Sequence, residues 1–222
     1  MTRAEVFASI KRTFIVPALR VSNAEIAMRA TEAIYLGGIN IVEISMSMPH
    51  ALEALAAVTR AHGPEIVVGA GTVVDTECVH RAHDAGAGFI VTTGFSAEVV
   101  AAADEYGLAT LAGALTPTEV QVAWKAKPDA VKLFPCFASG GPRYLRALRG
   151  QYPNVEFVAS GGVTLENCIE YVHAGACAIG VGSEIADHES MMSGNHRLFT
   201  ERARRFRKAI VAAQTPPTLL TA

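Results

Sequence analysis

Eight short runs of β-branched and apolar residues recur along the chain at intervals of about 20 to 26 residues, each followed by an amphipathic helical pattern. The runs are Phe14-Ile-Val-Pro-Ala-Leu, Asn40-Ile-Val-Glu-Ile-Ser, Ile66-Val-Val-Gly-Ala and Gly88-Phe-Ile-Val-Thr, then Ala109-Thr-Leu-Ala, Ala130-Val-Lys-Leu-Phe, Val155-Glu-Phe-Val-Ala and Cys177-Ala-Ile-Gly-Val. Alanine-rich helical segments lie between them, among them Asn23–Leu36, His50–His62, Ala97–Tyr106 and Leu165–His173. Gly37-Gly38, Gly63, Gly86, Gly107 and Gly175 stand where left-handed helix caps belong, and Ser22, Asp75, Ser96 and Thr164 are candidate N-caps. Near-continuous apolar strands must be covered on both faces, so strand–helix alternation implies a parallel sheet. A steady count of eight closes it into a (β/α)8 TIM barrel; a doubly wound open sheet is the alternative and normally lacks that count. The expectation is one domain over residues 1–222, with an extra N-terminal helix over residues 3–12 covering the barrel floor and a frayed tail at 213–222 containing Pro216-Pro217.

Composition narrows what such a barrel does. The chain is 50% apolar with a formal charge of -2, a balance that argues against a nucleic-acid partner. The basic stretch Arg202–Lys208 reads as the solvated face of a helix. No apolar segment reaches the roughly 18 residues that span a bilayer, and the acidic residue in Met1-Thr-Arg-Ala-Glu-Val-Phe fits no signal peptide. Four cysteines without C-x-x-C spacing suit a reduced cytoplasmic compartment. His80-x-x-His83 with Asp84 has helical spacing that could hold a cation, but it falls on an outer helix and reads as a surface pair. Asp187-His188-Glu189 with His196 reads the same way, so neither a metal nor a cofactor is expected.

Lys132 interrupts the sixth apolar run. An ammonium in a buried strand either reaches back to water along its stem or gives up its proton, and a neutral amine attacks carbonyl carbon. The strand alone leaves both readings open. Parity adds a partner: Glu43 shares a face with Ile41, Ser45 and Ser47, and Lys132 shares one with Phe134. If both charged residues point inward, they meet from even-numbered strands as base and nucleophile, or as a structural ion pair. Ala159-Ser-Gly-Gly-Val-Thr164 follows the seventh run and Gly180-Val-Gly-Ser-Glu184 the eighth. Glycine lets backbone N–H groups approach an anion, and these two loops are where such barrels commonly hold a phosphate. Glu184, directly after Ser183, opposes that reading by repulsion.

From Thr13 to Phe206 the chain resembles the class I aldolases that act on 2-keto-3-deoxy-6-phospho sugar acids (gluconate and galactonate) and on 4-hydroxy-2-oxoglutarate. The resemblance is carried by Gly38-Ile-Asn-Ile-Val-Glu-Ile44, Val68-Gly-Ala-Gly-Thr-Val73, Thr116-Pro-Thr-Glu119, Val131-Lys-Leu-Phe-Pro135, Gly140-Gly-Pro-Arg-Tyr-Leu145, Ser160-Gly-Gly162 and Gly182-Ser183. It implies that Lys132 forms the Schiff base and Glu43 is the general acid–base, with Thr72 near the pyruvate carboxylate; Phe134, on the face of Lys132, reads either as packing beside the iminium or as ordinary barrel filling. Gly161, Gly162, Gly182 and Ser183 would hold the phosphate, and the relatives are commonly trimers. Ser47 stands where some relatives carry a carboxylate-binding arginine; Arg20, at the end of the first strand, fits the galactonate branch instead. Thr93 and Ala112 replace prolines usual after the fourth strand and before the glycine of the fifth. Three other functions share these features: a metal-dependent pyruvate aldolase, a phosphosugar isomerase or epimerase with Glu43 as proton shuttle, and a barrel that binds a phosphosugar without turning it over.

Overall fold

A computed structural model describes residues 1–215. Eight strands, β1 (Ile15–Leu19), β2 (Ile41–Ser45), β3 (Val67–Gly71), β4 (Phe89–Val91), β5 (Ala109–Ala114), β6 (Ala130–Leu133), β7 (Phe157–Ser160) and β8 (Ala178–Val181), form a closed barrel in chain order. Every pairing is parallel, and β1 closes the ring onto β8 through Ile15↔Ile179 and Val16↔Gly180. The helices are α1 (Arg3–Thr13), α2 (Ala24–Leu36), α3 (Ala51–His62), α4 (Thr76–Asp84), α5 (Ala97–Glu105), α6 (Pro117–Lys125), α7 (Pro142–Gln151), α8 (Cys168–His173), α9 (His188–Met192) and α10 (Arg197–Gln214). This is the (β/α)8 TIM barrel with an additional N-terminal helix.

Period-2 alternation splits the strands between two cores. Ile15, Leu19, Val42, Ile44, Val68, Ala70, Val131 and Leu133 face outward and join the helices in the larger one. Val16, Ile41, Val67, Phe89, Leu111, Ala130 and Val158 form the inner one, which α1 caps from below with Val6 and Ile10. The Phe89 ring lies over its register partner on neighbouring β3, where a Cβ on Gly69 would come within 2.3 Å of it.

Local chemistry explains most helix boundaries. Thr2 and Glu5 form a capping box on α1, and Thr116 and Glu119 of the Thr-Pro-Thr-Glu motif form one on α6. Asp75 and Ser96 cap α4 and α5 through the N–H groups of Cys78 and Val99. Two expected caps were misplaced. Asn23, not Ser22, caps α2 by accepting from Ile26 N–H at 2.9 Å. α8 starts at Cys168 rather than Leu165, and Thr164 opens only the turn ahead of it: its carbonyl accepts from Cys168 N–H at 3.0 Å and its N–H donates to Asn167 Oδ1 at 2.8 Å. At the other end, α10 runs to Gln214, into the stretch expected to fray. Pro216-Pro217 and the rest of that tail lie outside the described residues.

Candidate active site

The inward parity that fills the lower barrel with hydrocarbon places Glu43 and Lys132 at its upper rim. Glu43 is in register with Ala18 of β1 and Gly69 of β3; Lys132 is in register with Gly113 of β5 and Val158 of β7. Small neighbours leave the long side chains room to turn across the barrel. A Cβ on Gly71 would sit 1.9 Å from Glu43 Oε1, so the carboxylate occupies space that any other residue would close. Lys132 Nζ lies 3.8 Å from Glu43 Oε1, with the two residues only 7% and 4% exposed. The Phe134 ring centroid is 5.5 Å from Nζ, an electron-rich neighbour for a cation.

The pair forms the inner end of a cavity of about 250 Å³. All nine residues singled out in the sequence line it: Arg20, Glu43, Thr72, Lys132, Phe134, Gly161, Gly162, Gly182 and Ser183. Thr72 has φ 60, a left-handed conformation that is costly for a β-branched residue and so marks stored strain. Its Oγ1 lies 3.0 Å from Ser45 Oγ, which in turn lies 2.8 Å from Ser47 Oγ.

Gly161 and Gly162 take φ 83 and 75 in the loop after β7. Cβ atoms there would approach Pro135 Cα to 2.9 Å and Phe137 Cβ to 2.4 Å, so two glycines let this loop pack against the one after β6. Asn167 pins the turn, donating from Nδ2 to Gly162 O at 2.8 Å. The N–H groups of Gly161, Gly162 and Ser183 have no acceptor among the described residues, which leaves them for an anion. The Arg20 guanidinium lies beside Gly182 and has no acidic partner among the described residues.

The sequence placed Ser160 in the glycine loop after the seventh run but gave its side chain no role, although inward parity at the end of β7 was the available signal. Its hydroxyl sits where a Cβ on Gly180 would come within 2.6 Å, and it lines the cavity with Thr93, Thr164 and Glu184. The histidine clusters stand elsewhere. His80 and His83 are on exposed α4, where His83 stacks on Tyr106 at 4.6 Å. Asp187 caps α9 through Ser190 N–H and pairs with Arg202, which holds its carboxyl well below the usual carboxylate range. The four cysteines are free thiols, and burial pushes Cys177 up to about 12.

Fold and cavity together define the class: a (β/α)8 barrel whose C-terminal mouth sets a buried amine against a buried carboxylate beneath two glycine loops. The model of the KDPG and KHG aldolase family matches residues 6–201. The chain is 34% identical to the 2-dehydro-3-deoxy-phosphogluconate aldolase of Treponema pallidum (strain Nichols), over 86% of this chain and 90% of that one. It is 33% identical to the 2-dehydro-3-deoxy-6-phosphogalactonate aldolase of Escherichia coli (strain K12), over 77% and 83%. A crystal structure of KDPG aldolase from Legionella pneumophila, with pyruvate captured at low pH as a covalent carbinolamine intermediate, superposes with a TM-score of 0.84 at 28% identity, covering 90% of this chain and 96% of that one. The protein belongs to the KDPG and KHG aldolase family, and it is a carbon–carbon lyase.

Proposed function

We propose that this aldolase cleaves a 2-keto-3-deoxy-6-phospho sugar acid to pyruvate and glyceraldehyde 3-phosphate through a Schiff base on Lys132. The observation that carries the reading is the 3.8 Å approach of Lys132 Nζ to Glu43 Oε1 within reach of the cavity. A carboxylate that close accepts and returns protons at the amine and at the neighbouring substrate atoms.

The neutral amine adds to the C2 ketone, and loss of water leaves an iminium that draws electrons from the C3–C4 bond. Glu43 accepts the C4 hydroxyl proton as that bond breaks and the aldehyde departs. The electron pair stays on C3 as an enamine; C3 regains a proton from Glu43, and hydrolysis releases pyruvate and the free lysine. Phe134, packed beside Nζ, keeps water from the iminium. Thr72 holds the carboxylate of the keto acid, while the N–H groups of Gly161, Gly162, Gly182 and Ser183 hold the phosphate. Arg20 supplies a planar donor fork for an anion, and its place beside Gly182 brings that charge to the phosphate end as well as to the carboxylate.

Homo-oligomerisation belongs to the same proposal, supported by apolar surface exposed at Leu36, Val74 and Phe137. So does a cytoplasmic location, which four free thiols suit. Among the described residues no helix is long and apolar enough to cross a membrane.

The deciding experiment adds borohydride to enzyme and pyruvate and maps the product. A three-carbon adduct is expected on the peptide carrying Lys132, and Lys132→Ala should lose both the adduct and all turnover. An adduct elsewhere, or appreciable cleavage by the variant, overturns the assignment. Borohydride-insensitive turnover would point instead to proton shuttling by Glu43 alone.

A further inference from the structure

Behind Thr72 stands a row of hydroxyls whose only visible partners are one another. Ser45 occupies the inward position above Glu43 on β2 and is 2% exposed. Its Oγ lies 3.0 Å from Thr72 Oγ1 in the cavity wall and 2.8 Å from Ser47 Oγ at the exposed end of the row. The backbone around Thr72 is fastened on both sides: Met46 N–H donates to Gly71 O at 2.7 Å, and Val73 N–H donates to Val91 O at 3.1 Å. A threonine held at φ 60 by such neighbours keeps its hydroxyl in one place.

Each hydroxyl has one proton to donate, and that constraint fixes what the row can present. If Thr72 gives its proton to Ser45, only lone pairs face the cavity, and a carboxylate there is repelled. If Ser45 instead donates to Thr72, the Thr72 proton is free for the cavity. Ser45 must then accept from Ser47, whose oxygen solvent can serve. An anion selects this second polarity, and aligned donors strengthen one another in a site of low dielectric.

We propose that Ser45 is a positioning residue that, fed by Ser47, polarises the Thr72 hydroxyl as a donor to the carboxylate of the keto acid. The proposal rests on the aldolase reading above, in which Thr72 meets that carboxylate. It adds neutral dipoles at this corner to the charge that Arg20 supplies in carboxylate recognition.

Calorimetry of pyruvate and its neutral analogue pyruvamide, on the wild-type chain and three variants, tests this without requiring turnover. Ser45→Ala should weaken pyruvate roughly tenfold, the scale of one charge-assisted hydrogen bond made weaker, and leave pyruvamide unchanged. Ser47→Ala, at an exposed position where folding is not at stake, should weaken pyruvate about twofold to threefold. Ser45→Thr keeps the hydroxyl and should recover most of the loss. Equal weakening of both ligands would reduce Ser45 to a structural role, and unchanged pyruvate affinity in both alanine variants would overturn the relay. A wild-type chain that binds pyruvate but yields no borohydride adduct would remove the covalent step alone; one that binds neither ligand would remove both ideas.

Discussion

At the lower end of the barrel the inward positions of β2, β3 and β4 carry Ile41, Val67 and Phe89, and α1 closes the floor with Val6 and Ile10. A few residues further along, the inward faces carry Ser45 on β2 and Gly71 on β3, and Glu43 on β2, Lys132 on β6 and Ser160 on β7 line an open cavity. One alternation thus serves two purposes. Below, each large apolar side chain removed from water contributes about 1.5–3 kcal/mol. Above, bringing an amine and a carboxylate out of water costs several kcal/mol per ion, which their mutual attraction repays only in part. The floor supplies the stability that lets the mouth hold an unfavourable arrangement ready for chemistry. If that division is right, substitutions at the mouth should change rates, and those at the floor should change stability.

Glu43→Gln is the sharpest test at the mouth. The amide keeps the shape in the space that Gly71 leaves, so the fold and the trapping of pyruvate on Lys132 should survive. Proton transfer is lost, and turnover should fall by ~10²–10⁴, the usual contribution of a positioned acid–base group. Steady-state cleavage measured beside borohydride trapping separates the two steps. A fall of less than tenfold would remove Glu43 from the proton path, and loss of the adduct as well would mean that it is needed for imine formation.

Phe89→Ala probes the floor. The ring is fully buried and fills the hollow left by Gly69, so its removal leaves a cavity that costs ~3–5 kcal/mol. In a chain of this size each kcal/mol is worth roughly 2–4 °C, so thermal unfolding should begin well below the wild-type transition. Below that transition, kcat and KM should remain within about twofold of wild type. A raised KM would show that the two ends are mechanically linked and would break the division.

The two ends also differ in how much the sequence revealed. The floor and the strand count were readable because burial on both faces forces eight apolar runs, and because alternation assigns each residue to a side. Parity carried Glu43 and Lys132 to the same interior for the same reason. What stayed hidden depends on folding contacts distant along the chain. The strain at Thr72 and its bond to Ser45 join β2 to the end of β3, and no local pattern announces them. The late start of α8 differs in being local: Asn167 binds both the Thr164 N–H and Gly162 O, and the first turn after Thr164 is spent on the glycine loop. Arg20 was placed at the right strand end, yet its neighbour Gly182 lies near the other end of the chain and comes beside it only because β1 closes the ring onto β8.

Glu184 gives the finest division, within the mouth itself. It lines the cavity directly after Ser183, so a carboxylate stands at the end proposed for the phosphate. At separations of about 7 Å in a watery site, repulsion of a dianion amounts to ~1 kcal/mol. Glu184→Gln should therefore lower KM for a 6-phosphorylated keto acid by about threefold to tenfold and leave KM for the unphosphorylated acid unchanged. The ratio of the two KM values, followed from low to high salt, isolates this effect, because screening of exposed charges should shrink the difference between variant and wild type. Equal changes for both substrates would show that Glu184 shapes the pocket rather than opposing charge. A raised KM for the phosphorylated substrate alone would mean that the carboxylate organises the donors around the phosphate, and the anion site would then need to be redrawn to include it.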